Sequence, residues 1–309
     1  MALLHTVMYH YVRDLPRTPY PRLKAMLTGD FRAQVSTLRE QFEMATLESA
    51  LAFLAGSYAP KRDLCLLTFD DGVAEHYDTV TPILAEAGIE GQFFLISSCV
   101  EEHKVAPVHM NHFLMAGMDF ADYRREMLER LGATDEGVDE AVARNTYRWD
   151  TLEVARFKYL FNFVAAPEIR DGAVAGLFES RIGNEAEFAR QLYVSWEQAR
   201  AMQSAGMRMG GHTHWHRPLA TLGAEDLEFD LGSCRRLLDA NLAPQHLWPF
   251  SYPYGKLSSF SKETVRLLGE LGFSCSFTTE VGPSGAGTDA FHIRRVDCKN
   301  ALDAAAVSA

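Results

Sequence analysis

Three short segments of the sequence hold the residue types that could do chemistry. The first, Thr68-Phe69-Asp70-Asp71-Gly72, ends an apolar run in two adjacent carboxylates and a glycine. Like charges that close stay ionised together only beside a cation or a shared proton. Adjacent side chains on a regular strand face opposite ways. Both carboxylates therefore reach one pocket only where the chain turns, and Gly72 permits that turn. A solvated acidic pair, or an aspartate capping a helix, is the competing reading. The second segment, Gly211-His212-Thr213-His214-Trp215-His216, brings three histidines within five residues. Neutral imidazole suits zinc and its neighbours as a ligand. The spacing predicts that His212 and His216, four apart, meet on one helical turn and converge on one ion; a surface histidine cluster is the alternative. The third segment, Phe250-Ser251-Tyr252-Pro253-Tyr254-Gly255, ends in a glycine-bearing turn able to aim a backbone N–H at a developing oxyanion. Taken alone it reads better as an ordinary Pro-Tyr-Gly turn.

A catalytic metal site needs about three protein ligands and one position open to water. Two imidazoles and one carboxylate meet that count and leave the second carboxylate to act as a base. The three segments, in this order, resemble the motifs of the polysaccharide deacetylase family (carbohydrate esterase family four, the chitooligosaccharide-deacetylase homology domain). Thr68–Gly72 matches the family's first motif residue for residue, His212–His216 matches its H-[ST]-x-x-H, and Phe250–Gly255 is similar to its third, which usually carries Arg-Pro-Pro-Tyr-Gly. The resemblance spans roughly residues 64–100 and 195–300. It implies Asp71, His212 and His216 as metal ligands, Asp70 as catalytic base, and Tyr254 as donor of the oxyanion-binding N–H. It also implies a divalent metal, zinc first. The implied fold is α/β, a distorted (β/α) barrel of about seven parallel strands with its site at the C-terminal strand ends. The sequence departs from the pattern twice. Ser251 stands where the family has an arginine that orients the base, and Arg294 or Arg295 from the last strand is the candidate replacement. The family's L-x-H, whose histidine is the general acid, has only His292 as its nearest counterpart here, without the leucine. His10, at the end of the first strand, and His103, His109 and His112 are further histidines whose place relative to the pocket spacing alone does not decide.

The surrounding elements alternate. Leu3 to Tyr9, Leu64 to Phe69, Gly91 to Ile96, Met207 to Gly210, His246 to Phe250, Phe273 to Phe277 and His292 to Val296 read as strands. Between them fall helical patterns: Phe31, Val35, Leu38 and Phe42; Leu47, Leu51 and Leu54; Val80, Ile83 and Leu84, stopped by Gly88; a Ser195/Gln198 capping box; Leu227, Leu231, Cys234 and Leu238; and a helix opened by Ser261. Strands separated by helices imply parallel pairing. Residues from about 100 to 194 break the alternation and read as a helical insertion into a single domain, lying over one end of the barrel. Its aromatic residues Tyr147, Trp149, Tyr159, Phe161 and Phe163 are expected mainly in core.

A net charge of −11 argues against a nucleic-acid surface, which needs a basic footprint, and gives a divalent cation a favourable field. Five cysteines at wide spacing without CxxC argue against a disulfide framework or a thiolate zinc site. No window is long and apolar enough for a membrane span. The opening residues lack a basic region and a long apolar stretch, so a cytoplasmic location is the expectation. The expected function is hydrolysis of an N-acetyl or O-acetyl group on a sugar or glycan precursor. A related amidohydrolase acting on a non-carbohydrate C–N bond, or an inactive glycan-binding homologue, are the alternatives.

Overall fold

The computed structural model describes residues 2–302. The chain forms two compact units. One takes in the chain up to Asp14, Lys24–His103 and the chain from Ala189 onward; the other joins Leu15–Leu23 to Lys104–Phe188.

The first unit is built on seven parallel strands in the order β7-β1-β2-β3-β4-β5-β6. These are β1 (Leu4–Tyr9), β2 (Leu64–Phe69), β3 (Gly91–Leu95), β4 (Arg208–Gly211), β5 (Pro249–Ser251), β6 (Cys275–Phe277) and β7 (Val296–Asp297). A two-residue strand, Glu43–Met44, pairs with β2 beside this path. Flanking the sheet are helices α1 (Thr28–Gln41), α2 (Leu47–Leu54), α3 (Thr81–Ala87), α4 (Trp196–Ser204), α5 (Ala224–Asn241) and α6 (Lys262–Glu270). The sheet curls, and Ile293, just before β7, bridges Phe277 at its far edge. The result is a curled half-barrel of the distorted (β/α) type. The last strand is shorter than its sequence suggests. Ala290–His292 is a 3-10 turn, and only Val296–Asp297 pairs with β1.

Strand alternation divides the core in two. Cys65, Leu67 and Phe69 of β2 pack outward with Phe31, Val35 and Leu38 of α1 and with Leu231, Cys234 and Leu238 of α5. Leu64 and Leu66 face inward with Phe94, Cys275, Phe277 and the α2 residues Leu47, Phe53 and Leu54. Both faces are covered, so β2 reads as a continuous apolar run, as buried parallel strands do. The same period of two puts Thr68 and then Asp70 in line with Leu64 and Leu66.

The second unit is helical, with Pro107–Gly117, Phe120–Leu131, Glu140–Thr146, Leu152–Tyr159 and Pro167–Arg181 as its main helices. Phe113, Tyr123, Met127, Phe157, Phe161 and Phe178 are buried in it. Leu15–Leu23, remote in sequence, belongs here: Arg22 donates to the carbonyls of Ala116 and Met118 at 2.9 Å each. The expected core role of the aromatics holds for Phe161, whereas Trp149 is 54% exposed.

Candidate metal centre

Asp71, His212 and His216 come together at the C-terminal ends of β2 and β4. One ligand atom from each lies within 4.8 Å of the others. Nε2 of His212 and Nε2 of His216 are each 3.4 Å from Oδ1 of Asp71. The backbone bends sharply to achieve this. Asp71 itself is left-handed at φ 80° and is followed by Gly72 at φ 65°. A Cβ on Gly72 would sit 2.6 Å from a Leu95 methyl, so the turn requires glycine on both counts. The two histidines do not share a helical turn, as their spacing suggested. They lie on an irregular loop in which Thr213 and His216 are left-handed, at φ 67° and 56°, and Thr213 Oγ1 accepts from the His216 N–H at 2.8 Å. Non-glycine residues in that region store strain and cluster at functional sites.

The chemistry of this donor set fits a divalent ion. Nδ1 of His212 is 2.7 Å from the Ser251 carbonyl. A carbonyl only accepts, so Nδ1 carries the proton and Nε2 is the nitrogen turned toward Asp71, the orientation usual for metal-ligating histidines. Two imidazoles and a carboxylate complete a three-ligand set of the kind that holds zinc.

Asp70 lies beside this cluster and is 2% exposed. Arg295 Nη1 donates to its Oδ1 at 2.8 Å, while Arg295 Nη2 donates to Ser251 Oγ at 3.0 Å and Nε to the Thr278 carbonyl at 2.9 Å. The guanidinium thus fills the interior of the curled sheet, bonded to β2, β5 and the chain after β6. Of the two candidate arginines the structure selects Arg295, and the short Ser251 side chain bonds to the guanidinium directly. Burial works to raise the Asp70 carboxyl; the Arg295 charge and hydrogen bond, aided by His212, outweigh it and hold the group below its ordinary value.

His10 joins the site through strand register. Tyr9 of β1 pairs with Phe69 of β2, so the next residues, His10 and Asp70, emerge side by side, with His10 Nε2 3.9 Å from Asp70 Oδ2. His292 has other partners: its Nδ1 is 3.1 Å from Asp289 Oδ2, and its ring meets Phe260 at 5.7 Å. The 3-10 turn Ala290–His292 thus holds the residue expected as general acid against Asp289. His109 and His112 lie on a helix of the second unit. Tyr254 is left-handed at φ 61°, its ring is 5.4 Å from that of His216, and Thr279 Oγ1 donates to its carbonyl at 2.7 Å.

The middle histidine and an aspartate were not assigned roles by the sequence patterns. His214 turns away from the cluster: Nδ1 meets Ser97 Oγ at 2.9 Å and Nε2 meets Glu102 at 3.1 Å. Asp230 of α5 accepts from the His214 N–H at 2.8 Å and from the Trp215 N–H at 3.0 Å. Burial pushes its carboxyl up to about 6, against the lowering effect of those two bonds. The available signal was an acidic residue on the apolar stripe Leu227, Leu231, Cys234 and Leu238, where a buried charge needs partners.

A parallel, curled (β/α) sheet with these residues at its strand ends is the architecture of a deacetylase-type hydrolase. The polysaccharide deacetylase family profile matches residues 57–276, more than half of the chain. The chain belongs to the polysaccharide deacetylase family. Among curated proteins it is 22% identical over 153 residues to YxkH of Bacillus subtilis strain 168, a protein named for the same family. That alignment covers 49% of this chain and about half of the relative, 53% of its length. The fold is similar to that of the Streptococcus pyogenes deacetylase PplD, solved in complex with acetate, with a TM-score of 0.62 and 14% identity over 98% of both chains. It is similar also to IcaB from Ammonifex degensii, with a TM-score of 0.58 and 20% identity over 99% of this chain and 97% of that one. Among the described residues no helix is long and apolar enough to cross a membrane.

Proposed function

We propose that this protein is a metal-dependent deacetylase that hydrolyses an N-acetyl group on a sugar or glycan precursor. Asp71, His212 and His216 would hold the ion, zinc first among the divalent metals. The observation that carries the reading is the convergence of these three ligand atoms within 4.8 Å beside a buried carboxylate fixed by an arginine.

A bound divalent ion supplies Lewis acidity, polarising the acyl carbonyl and easing deprotonation of water. Asp70, ionised and aimed by Arg295, takes the proton of the attacking water as its oxygen bonds to the acyl carbon. The Tyr254 N–H, on its left-handed turn, donates to the oxyanion of the tetrahedral adduct. His10, which approaches the Asp70 oxygen that Arg295 Nη1 does not bond, gives a proton to the departing nitrogen as the C–N bond breaks. Acetate and a free amine result. The 43% exposure of the His10 side chain allows it to exchange protons with solvent between turnovers.

The test combines metal analysis of the purified protein with acetate release from N-acetylated chitooligosaccharides. Chelation should abolish release and zinc should restore it. Asp70→Asn should retain metal and lose turnover, whereas His212→Ala should lose metal. Full turnover in a metal-free preparation would refute the reading.

A further inference from the structure

We propose that Asp230 is a positioning residue for the candidate metal ligands, setting the conformation of the loop from which His212 and His216 project. The inference rests on the metal reading above and concerns a residue outside the ligand set.

The loop is held from two sides. On one, Ser97 N–H donates to the Thr213 carbonyl at 3.1 Å and Ser98 N–H to the His214 carbonyl at 3.2 Å. On the other, the two oxygens of Asp230 each take one N–H, from His214 and from Trp215. Those amides lie between the two ligands in sequence. Asp230 is wholly buried, so no water can replace an acceptor removed there. Thr213 and His216, the residues flanking this pair, have positive φ. A loop in that conformation persists only where its surroundings over-determine it, and Asp230 supplies two of the bonds that do so. An asparagine would keep one acceptor but turn its NH2 toward the second N–H, leaving two donors opposed. Without the carboxylate the loop relaxes, and the His212–His216 spacing that a single ion needs is lost.

The experiment measures zinc affinity by competition with a chromophoric chelator, together with thermal unfolding of the metal-free protein, for wild type, Asp230→Asn and Leu231→Ala. Leu231 is buried on the next position of the same helix and serves as a purely structural comparison. Asp230→Asn should bind zinc roughly 10- to 100-fold more weakly, the usual effect of losing an outer-sphere partner. Leu231→Ala should lower the unfolding temperature while keeping zinc affinity. Equal zinc affinity in Asp230→Asn and wild type, or an equal loss in both variants, overturns the proposal. Should Asp230→Asn fail to fold, Asp230→Ser, whose single short hydroxyl cannot bond both amides, takes its place with the same two outcomes. A wild-type protein that binds no zinc would sink the metal reading itself, a distinct result.

Discussion

Arg295 and Asp70, 225 positions apart in sequence, meet inside the curled sheet with 2.8 Å between Nη1 and Oδ1, both essentially without solvent contact. Breaking a buried pair by removing one partner strands the other charge, at a cost of roughly 3–5 kcal/mol. Arg295→Gln should therefore lower stability markedly in urea titrations. Its effect on the pH profile has a definite sign. Arg295 lowers the Asp70 carboxyl, so its loss raises that value, and the acid limb of kcat/KM should move to higher pH. An unmoved acid limb would mean that Asp70 is not the base.

Asp70→Asn removes the base without removing a ligand. Acetate release should fall by about 10²–10⁴, the usual contribution of a general base, with metal content unchanged. His212→Ala should lower activity and metal content together.

His10 and His292 make opposite demands on the same assay. His10→Gln should reduce kcat about 100-fold or more, with the greater loss on amides whose departing amine most needs a proton. His292→Gln, at a residue bonded to Asp289, should leave kcat within about twofold of wild type, as surface changes away from a site usually do. A large loss in His292→Gln alone would reverse the assignment.

His76 gives the fold a dependence on acid. It is fully buried, and its Nε2 donates to the His10 carbonyl at 2.9 Å. Burial pushes its imidazole down to about 4, the hydrogen bond to His10 and nearby Asp71 acting the other way. The unfolded chain, at about 6.5, takes up a proton that the native state resists. The associated stability is intact above pH 6.5 and is lost as pH falls toward 4, by at most about 3 kcal/mol. In urea titrations from pH 7.5 to 4.5, His76→Gln should show a shallower decline than wild type. Parallel declines would count against a buried neutral histidine.

Gly210 lies tight against the backbone of β5. A Cβ there would lie 2.4 Å from the Pro249 carbonyl oxygen and 2.8 Å from the Phe94 ring. Backbone cannot move aside cheaply, so Gly210→Ala should destabilise by about 1–3 kcal/mol, in the range of overpacking, and displace the loop carrying His212. Thermal unfolding and zinc affinity read both effects.

Much of this was legible along the chain. The apolar run Leu64–Phe69, its alternation, and the glycine after two carboxylates are local properties, and local sterics place Asp70 and Asp71 at a strand end. The ligand histidines were legible as a cluster, although their helical spacing misled about the backbone, since positive φ at Thr213 and His216 answers to the contacts made by Asp230, Ser97 and Ser98 rather than to periodicity. The early segment Leu15–Leu23 could not be assigned to the helical unit because its ties are to Ala116 and Met118, far along the chain.

The sequence by itself determined which residue types could grip an ion and which carboxylate would stand beside them. Tertiary structure alone decided which arginine bonds to Asp70 and that His10 lies beside it. Arg295 and His10 come from opposite ends of the chain, and they reach Asp70 because β1 lies between β7 and β2 in the sheet. Strand order and register are properties of the assembled hydrogen-bonded sheet, and no spacing within a single segment encodes them.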